Sequence, residues 1–257
     1  MKKILSLFAM LTLSLHAHAA IVKKDVEYKD GKDVFQGYVA YDDSIKKPMP
    51  GVLVVHDWSG LTDRTKEKAD ALAELGYVAF AVDVYGKGIR PTGEEAGKIA
   101  GQYRNGDRTL FRKRLKRGLA VLRDQDGVDK KRVAVIGYCF GGTGAIELAR
   151  SGADLKGVVS FHGGLDSPKP EDGKKIKTKI LALHGADDPF VSPENLKAFE
   201  DEMRNAKIDW QLHKYGGAVH SFTDKSAGND NSKGAAYNER ADKRSWQEMK
   251  QFFADNL

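Results

Sequence analysis

Cysteine is almost absent from this sequence, since one residue, Cys139, stands in a chain of 257. A single cysteine cannot form an internal disulfide, so stability has to come from an ordinary hydrophobic core. The sequence also has no H-x-x-x-H pair and no cysteine cluster, which are the spacings that zinc sites use. We therefore expect neither a metal nor another cofactor.

Long apolar runs are scarce as well, and residues 4–15 form the one that stands out. This run is too short to span a bilayer comfortably. It follows Lys2 and Lys3 and precedes an A-x-A motif at residues 17–19, which is the order of a secretory signal peptide. The sequence therefore predicts cleavage after Ala19, export to a bacterial periplasm, and a mature single domain, residues 20–257, without a membrane span. The alternative is a retained N-terminal anchor.

A strong excess of one charge is missing too. The formal net charge is +6, and the chain has neither a basic tail nor a patch of bases interleaved with aromatics, so nucleic acid is not an expected partner. The densest basic run, residues 112–117, lies within a segment, 107–123, whose apolar residues (Leu110 among them) recur at helical spacing. We interpret these bases as the solvated face of an amphipathic helix.

Short apolar runs alternate with helical patterns from residue 51 onward, which predicts an α/β fold with a mostly parallel central sheet and helices on both faces. Strands are predicted at 52–55, 77–84, 133–136, 157–161, 180–183 and 210–215, after an antiparallel ribbon at 26–28 and 35–41. Helices are predicted at 64–75, 107–123, 143–150, 193–205 and 235–256. The polar segment 91–107 is predicted to be either a cap over a site or a plain surface loop.

The motif Gly137-Tyr-Cys-Phe-Gly141 follows the apolar run 133–136 and precedes a predicted helix. This is the order of a G-x-S-x-G nucleophile elbow with cysteine in place of serine. The two glycines fit a turn in which a Cβ would clash, and the helix N-terminus favours a thiolate. The pattern predicts that Cys139 is a nucleophile; the alternative is a small buried hydrophobic residue.

A nucleophilic thiol needs a base, and the base needs an orienting acid. In this architecture the acid and then the histidine follow the nucleophile along the chain. Asp188 and His220 each come after a predicted strand, where the carboxyl ends of parallel strands place a site. Asp187 is the alternative acid, but the proline after Asp188 holds that residue extended, which favours Asp188. We expect His162 and His184 to make backbone hydrogen bonds near the site.

Two backbone N–H groups are expected to stabilise the developing oxyanion, those of Phe140 and Trp58. Asp57 would then lie beside the thiol, although it could also be a simple loop carboxylate. The auxiliary and pocket residues are predicted to be Asp57, His56, Tyr85 and Tyr138.

Three motifs in order resemble the dienelactone hydrolase family of α/β-hydrolases: the elbow at 137–142, Asp188 followed by Pro-Phe-Val, and Gly-Ala-Val-His-Ser-Phe at 217–222. The resemblance implies the α/β-hydrolase fold and Cys139, Asp188 and His220 as a triad. Well-studied members carry Glu at the position of Asp57. They also carry an Arg that holds the substrate's carboxylate at the position of Asp224, so dienelactone itself is not the expected substrate.

The sequence thus predicts an enzyme, a carboxylic ester hydrolase of the carboxymethylenebutenolidase class. It would cleave small-molecule esters, lactones or thioesters through an acyl-cysteine on Cys139. The alternative is a protein of the same fold that binds a ligand without hydrolysis, or whose thiol senses oxidants. The oligomeric state is not predicted.

Overall fold

A sheet of eight strands runs through the computed structural model, which describes residues 21–257. The predicted signal peptide, residues 1–19, lies outside the described residues. The strands are β1 (Ile21–Asp30), β2 (Asp33–Asp42), β3 (Met49–Val55), β4 (Val78–Val82), β5 (Val128–Tyr138), β6 (Gly157–Phe161), β7 (Lys179–Gly185) and β8 (Trp210–Tyr215). The helices are α1 (Asp63–Glu74), α2 (Gly93–Arg104), α3 (Thr109–Arg123), α4 (Phe140–Arg150), α5 (Pro193–Asn205) and α6 (Glu239–Asn256).

The strands lie in the order β1-β2-β4-β3-β5-β6-β7-β8. The first two form an antiparallel ribbon, and β2 pairs antiparallel with β4. The other pairs, from β4 through β8, are parallel. This confirms the predicted α/β class with a mostly parallel sheet, and it brings the carboxyl ends of β3, β5, β7 and β8 to one edge.

Helices cover both faces of the sheet. Phe111 of α3, Ile146 of α4 and Phe199 of α5 belong to one buried cluster. Leu72 of α1 and Phe253 of α6 belong to the cluster on the opposite face. The two apolar layers fix the sheet between them, since burial of such side chains contributes roughly 1.5–3 kcal/mol each. No helix within residues 21–257 is long and apolar enough to cross a membrane.

Several boundaries differ from prediction; β1 and β5, for example, are each longer than predicted. The segment 91–107 contains the helix α2, so it is not a plain surface loop. The last helix begins at Glu239, not at residue 235, because the Asn238 side chain accepts a hydrogen bond from the N–H of Ala241 and caps it there. Ala235 instead forms a bridge to His220. Pairing of this segment with the site loop outweighs its helical pattern.

The interpretation of the basic run as a solvated face is wrong for two of its arginines. Arg112 donates to Glu147 and Asp172, and Arg114 forms ion pairs with Asp30 and Asp33. Leu110, one of the apolar residues that recur at helical spacing, is exposed. The apolar face of α3 is therefore narrower than its spacing indicates, and arginines flank it.

A set of buried charges joins α3, α4 and α5, and we call it the buried network: Arg108, Arg112, Glu147, Arg150 and Glu202. Glu147 accepts hydrogen bonds from Arg108 (3.0 Å), Arg112 (2.7 Å) and Arg150 (2.9 Å). Arg150 also donates its Nε to Glu202 at 2.9 Å. The Glu147 and Arg150 side chains are fully buried, and their mutual pairing offsets the desolvation of each charge.

Candidate active site

Cys139 stands between the end of β5 and the first residue of α4. Its φ is +54°, a conformation that L-residues rarely adopt and that marks many active sites. The flanking glycines permit this turn. A Cβ at Gly137 would lie 1.9 Å from the carbonyl oxygen of Gly141, and one at Gly141 would lie 2.2 Å from the carbonyl oxygen of Val55. The turn leaves the thiol partly exposed at the carboxyl edge of the sheet.

A chain of two side-chain contacts joins the thiol to a buried carboxylate. The Nε2 atom of His220 lies 3.1 Å from the Sγ of Cys139. Its Nδ1 atom lies 2.8 Å from the Oδ2 of Asp188, whose Oδ1 accepts a hydrogen bond from the N–H of Phe190 at 2.8 Å. The structure therefore brings the three predicted side chains together. The backbone of His220 is also bonded on both sides, to Gly234 and Ala236.

The imidazole of His220 is surrounded by groups that alter its proton affinity. Burial lowers its pKa. The hydrogen bonds to Asp188 and Cys139 and the charges of both partners raise the pKa, and together they outweigh burial. The balance raises the pKa of His220 from 6.5 to about 10. A proton on this ring is therefore retained at neutral pH, as expected for a histidine held between two acidic groups.

The other acid and histidines near the site have different roles. Asp187, the alternative acid, accepts a hydrogen bond from the N–H of Gly217, which is a turn role. The prediction of backbone hydrogen bonds for His162 and His184 is wrong. His162 bonds the hydroxyl of Thr223 at 2.8 Å, and the Nδ1 of each of the two rings has no partner among the described residues. Burial lowers the pKa of both, so they are neutral at pH 7.

The two predicted oxyanion donors belong to the first residue of α4 and to the loop after β3. Phe140 is the first residue of α4, so the helix supplies no acceptor for its N–H. Trp58 lies in the loop 56–60 after β3 and lines the same cavity as Cys139. The hydroxyl of Tyr85 donates to the Trp58 carbonyl at 3.0 Å, and Asp57 accepts from the N–H of Ser59 at 2.8 Å. These bonds hold the loop in place.

Two of the predicted pocket residues do not line the cavity. His56 is fully buried, with Nδ1 2.6 Å from the Asp57 carbonyl and Nε2 accepting from the N–H of Val84. Tyr85 is buried beside it. Both side chains therefore support the loop from its buried side. The prediction failed because a position next to the oxyanion segment does not decide which way a side chain points. Tyr138 does line the cavity, stacked on Phe161 at 4.6 Å.

A charged residue that sequence reasoning missed stands in this cavity, whose volume is about 420 Å³. Arg64, in the first turn of α1, lies 3.0 Å from the Oδ2 of Asp57 and is also bonded to Asp224. It donates to the hydroxyl of Ser226 at 2.9 Å. We call Asp57, Arg64 and Asp224 the charge cluster. The signal in the sequence was an arginine in the first turn of the helix that follows the oxyanion loop.

The family model of the dienelactone hydrolases matches residues 35–257. The chain belongs to the dienelactone hydrolase family. A protein from Synechocystis that bears the name "putative carboxymethylenebutenolidase" is 25% identical over 236 residues, which are 86% of this chain and 92% of that one. An uncharacterized protein from Caenorhabditis elegans is 33% identical over 147 residues, covering 55% of this chain and 91% of that one.

A solved structure shares the fold of this dienelactone hydrolase family member closely. It is the crystal structure of a dienelactone hydrolase-like promiscuous phosphotriesterase from metagenomic libraries, 41% identical with a TM-score of 0.88. The match covers 92% of this chain and 99% of that one. Family membership and fold together confirm the predicted class: the protein is a hydrolase of the α/β-hydrolase superfamily that acts on carboxylic esters or lactones.

Proposed function

We propose that the protein hydrolyses its substrates through a triad of Cys139, His220 and Asp188 and an acyl-cysteine intermediate. The observation that carries this proposal is the imidazole of His220, which contacts Sγ at 3.1 Å and the Asp188 carboxylate at 2.8 Å. A nucleophile hydrogen-bonded to a base, with the base oriented by an acid, is the arrangement that covalent catalysis requires.

In the first half-reaction the resting proton sits on His220 and the sulfur of Cys139 is a thiolate. The raised pKa of His220 supports this assignment. The thiolate attacks the carbonyl carbon and forms a C–S bond. As the tetrahedral intermediate collapses, the C–O bond of the ester breaks, and the imidazolium gives its proton to the leaving oxygen. The products are an alcohol, an acyl-cysteine and a neutral His220.

In the second half-reaction water attacks the acyl-cysteine. His220 takes one proton from the water, and the remaining hydroxyl bonds to the carbonyl carbon. The C–S bond then breaks, which releases the carboxylic acid and restores the thiolate and the imidazolium. In both halves the N–H groups of Phe140 and Trp58 donate to the oxyanion, at a helix N-terminus whose dipole favours negative charge.

The preferred substrates are activated esters, lactones or thioesters. A thiolate is expelled from the tetrahedral intermediate more readily than an alkoxide, so plain alkyl esters return to reactants. Asp57 takes no part in activating the thiol in this proposal, because its carboxylate is bound by Arg64 and by the N–H of Ser59.

We further propose that the leader, residues 1–19, is removed and that the mature enzyme acts in the periplasm. N-terminal sequencing of the exported protein tests this.

The experiment on the nucleophile compares Cys139→Ala and Cys139→Ser with the native enzyme, using p-nitrophenyl acetate. We expect the alanine variant to lose at least about 10⁴-fold in kcat, as nucleophile deletions do. The serine variant should retain a small fraction, because its hydroxyl is far less acidic than a thiol. Undiminished turnover by Cys139→Ala would rule out the proposal.

A second candidate activity is the hydrolysis of phosphotriesters. The structure that is 41% identical belongs to a protein described as a promiscuous phosphotriesterase. The same thiolate could attack phosphorus and release a phenoxide. Turnover of diethyl p-nitrophenyl phosphate by the native enzyme, and its absence in Cys139→Ala, is the supporting result; equal rates in both proteins would exclude this activity.

A further inference from the structure

The walls of the active-site cavity carry more acidic than basic residues. Four carboxylate residues line it, namely Asp57, Glu67, Asp224 and Asp242. The three basic residues are Arg64, Lys68 and Lys225. Burial lowers the pKa of the neighbouring His162, so this ring adds no charge. In the proposed mechanism the charges of the thiolate and of the imidazolium cancel. An acyl group that enters the cavity therefore meets a wall with a surplus of one negative charge.

The surplus is concentrated in the charge cluster. The guanidinium of Arg64 is bonded to Asp57 on one side and to Asp224 and Ser226 on the other. One cation therefore serves two carboxylates. The pKa of Asp224 is lowered by its bonds to Ser226 and Arg64, despite the opposing effect of its burial, so the carboxyl is ionised at neutral pH. A substrate carboxylate would have to displace one of these acids to reach Arg64.

The remaining bases, Lys68 and Lys225, both lie close enough to Asp242 for their charge to act on it. The ammonium of Lys68 lies over the rings of Tyr138 and Trp246, 5.4 and 5.7 Å from their centroids. Charge on Lys68 and Lys225 lowers the pKa of Asp242, while burial raises it and outweighs them. Each base here already faces an aromatic ring or a nearby carboxyl group, which weakens its attraction for an additional anion.

We propose that the charge cluster makes the enzyme select uncharged acyl groups over anionic ones, with Asp224 as the residue that determines this specificity. The inference rests on the proposed function and adds the class of acyl group to it. One surplus unit charge about 7 Å from a substrate carboxylate, in surroundings of intermediate polarity, corresponds to about a tenfold difference in kcat/KM.

The first experiment measures kcat/KM of the native enzyme for two esters of equal length. These are p-nitrophenyl hexanoate and mono-p-nitrophenyl adipate, in which a carboxylate replaces the terminal methyl group. We expect the hexanoate to be preferred by about tenfold at low salt, and the preference to shrink as salt screens the charges. Equal rates, or a preference for the adipate, would overturn the proposal; the latter would assign anion binding to Lys68 and Lys225.

The second experiment uses Asp224→Asn with a matched control. The Oδ1 of Asp224 accepts from the N–H of Ser226 at 2.9 Å, a bond that the asparagine oxygen can keep. Asp230 makes the same turn with Ser232, at 3.1 Å, and does not line the cavity. We expect Asp224→Asn to bring the hexanoate-to-adipate ratio close to one and Asp230→Asn to leave it unchanged. A ratio that Asp224→Asn does not move contradicts the proposal.

Failure of this inference is distinguishable from failure of the proposed function. If the triad assignment is wrong, Cys139→Ala hydrolyses both esters at the native rate. If only the specificity assignment is wrong, both esters are hydrolysed through Cys139 and their ratio is insensitive to Asp224.

Discussion

Helix α4 carries two kinds of charged environment along its eleven residues. Its first residue, Phe140, follows the thiol at the open edge of the sheet, where a cavity admits solvent. Its last two turns carry Glu147 and Arg150, which are fully buried in the buried network. Both regions contain arginines paired with carboxylates. They differ in what surrounds them: each charge of the buried network faces an opposite charge, whereas the site keeps a polarised thiol accessible.

Chemistry is therefore expected at the site, where a polar group is accessible, and a contribution to stability alone is expected from the buried network. The carboxylate of Glu147 is fully buried and accepts from three arginines, so a substrate does not reach it. At the site, by contrast, Cys139 makes one side-chain hydrogen bond, with His220, and it lines the cavity. Substitutions in the two regions should therefore separate activity from stability.

The largest effect on activity, short of removing the thiol, is expected from Asp188→Asn. An amide in place of the carboxylate removes the charge that orients His220 and keeps its proton, so kcat should fall about 1,000-fold. The variant should remain folded, although it loses the part of the stability that the Asp188 bond gives to the protonated His220 ring. Steady-state kinetics and urea unfolding on the same preparation test both statements. Near-native kcat in this variant would remove Asp188 from the triad.

The largest effect on stability is expected from Glu147→Gln. Loss of this charge leaves buried arginines without their shared partner, so the free energy of unfolding should fall by about 3–5 kcal/mol. The kcat of the folded fraction should stay within about twofold of native. The matched control is Glu200→Gln, which breaks a partly exposed pair with Arg204 and should cost less than about 0.5 kcal/mol. Similar losses in both variants would contradict the comparison.

A smaller effect is expected in the pH dependence of folding stability, and it arises from His220 at the site. The folded-state pKa of His220 is raised from 6.5 to about 10, so the folded protein holds a proton there that the unfolded chain releases above 6.5. This contribution to stability is complete below pH 6.5 and is lost as pH rises through about 10. In the buried network, burial disfavours the charge of Arg112 and Arg150, but their carboxylate partners raise the pKa of both, so the two stay charged. NMR titration of the His220 ring should give a midpoint near 10, and a midpoint near 6.5 would refute the resting ion pair.

Much of the fold and the three central side chains followed from local sequence patterns. The glycines of the elbow indicate a turn in which no Cβ fits. Apolar runs that alternate with helical patterns indicate a parallel sheet whose strands end at one edge. Asp188 could be separated from Asp187 because the proline after Asp188 restricts that residue's backbone. These are short-range constraints, which a single sequence carries in full.

The charge relationships could not be predicted because their partners are distant in the chain. Arg64 and Asp224 are separated by 160 positions, and Arg112 and Asp172 by 60. A basic run at helical spacing looks the same whether water or buried carboxylates face it. The inward orientation of the His56 ring could not be predicted either. The ring accepts a hydrogen bond from the N–H of Val84, which is distant from it in the sequence.

Mass spectrometry of the enzyme quenched during turnover of p-nitrophenyl acetate tests the acyl-cysteine intermediate. We expect one acetyl group to be gained and to map to the peptide containing Cys139. The adduct should disappear on further incubation and be absent in Cys139→Ala. Hydrolysis that proceeds without any acyl adduct, or oxidation of Cys139 to sulfenic acid with no hydrolysis, would contradict it, and the latter would favour a thiol sensor.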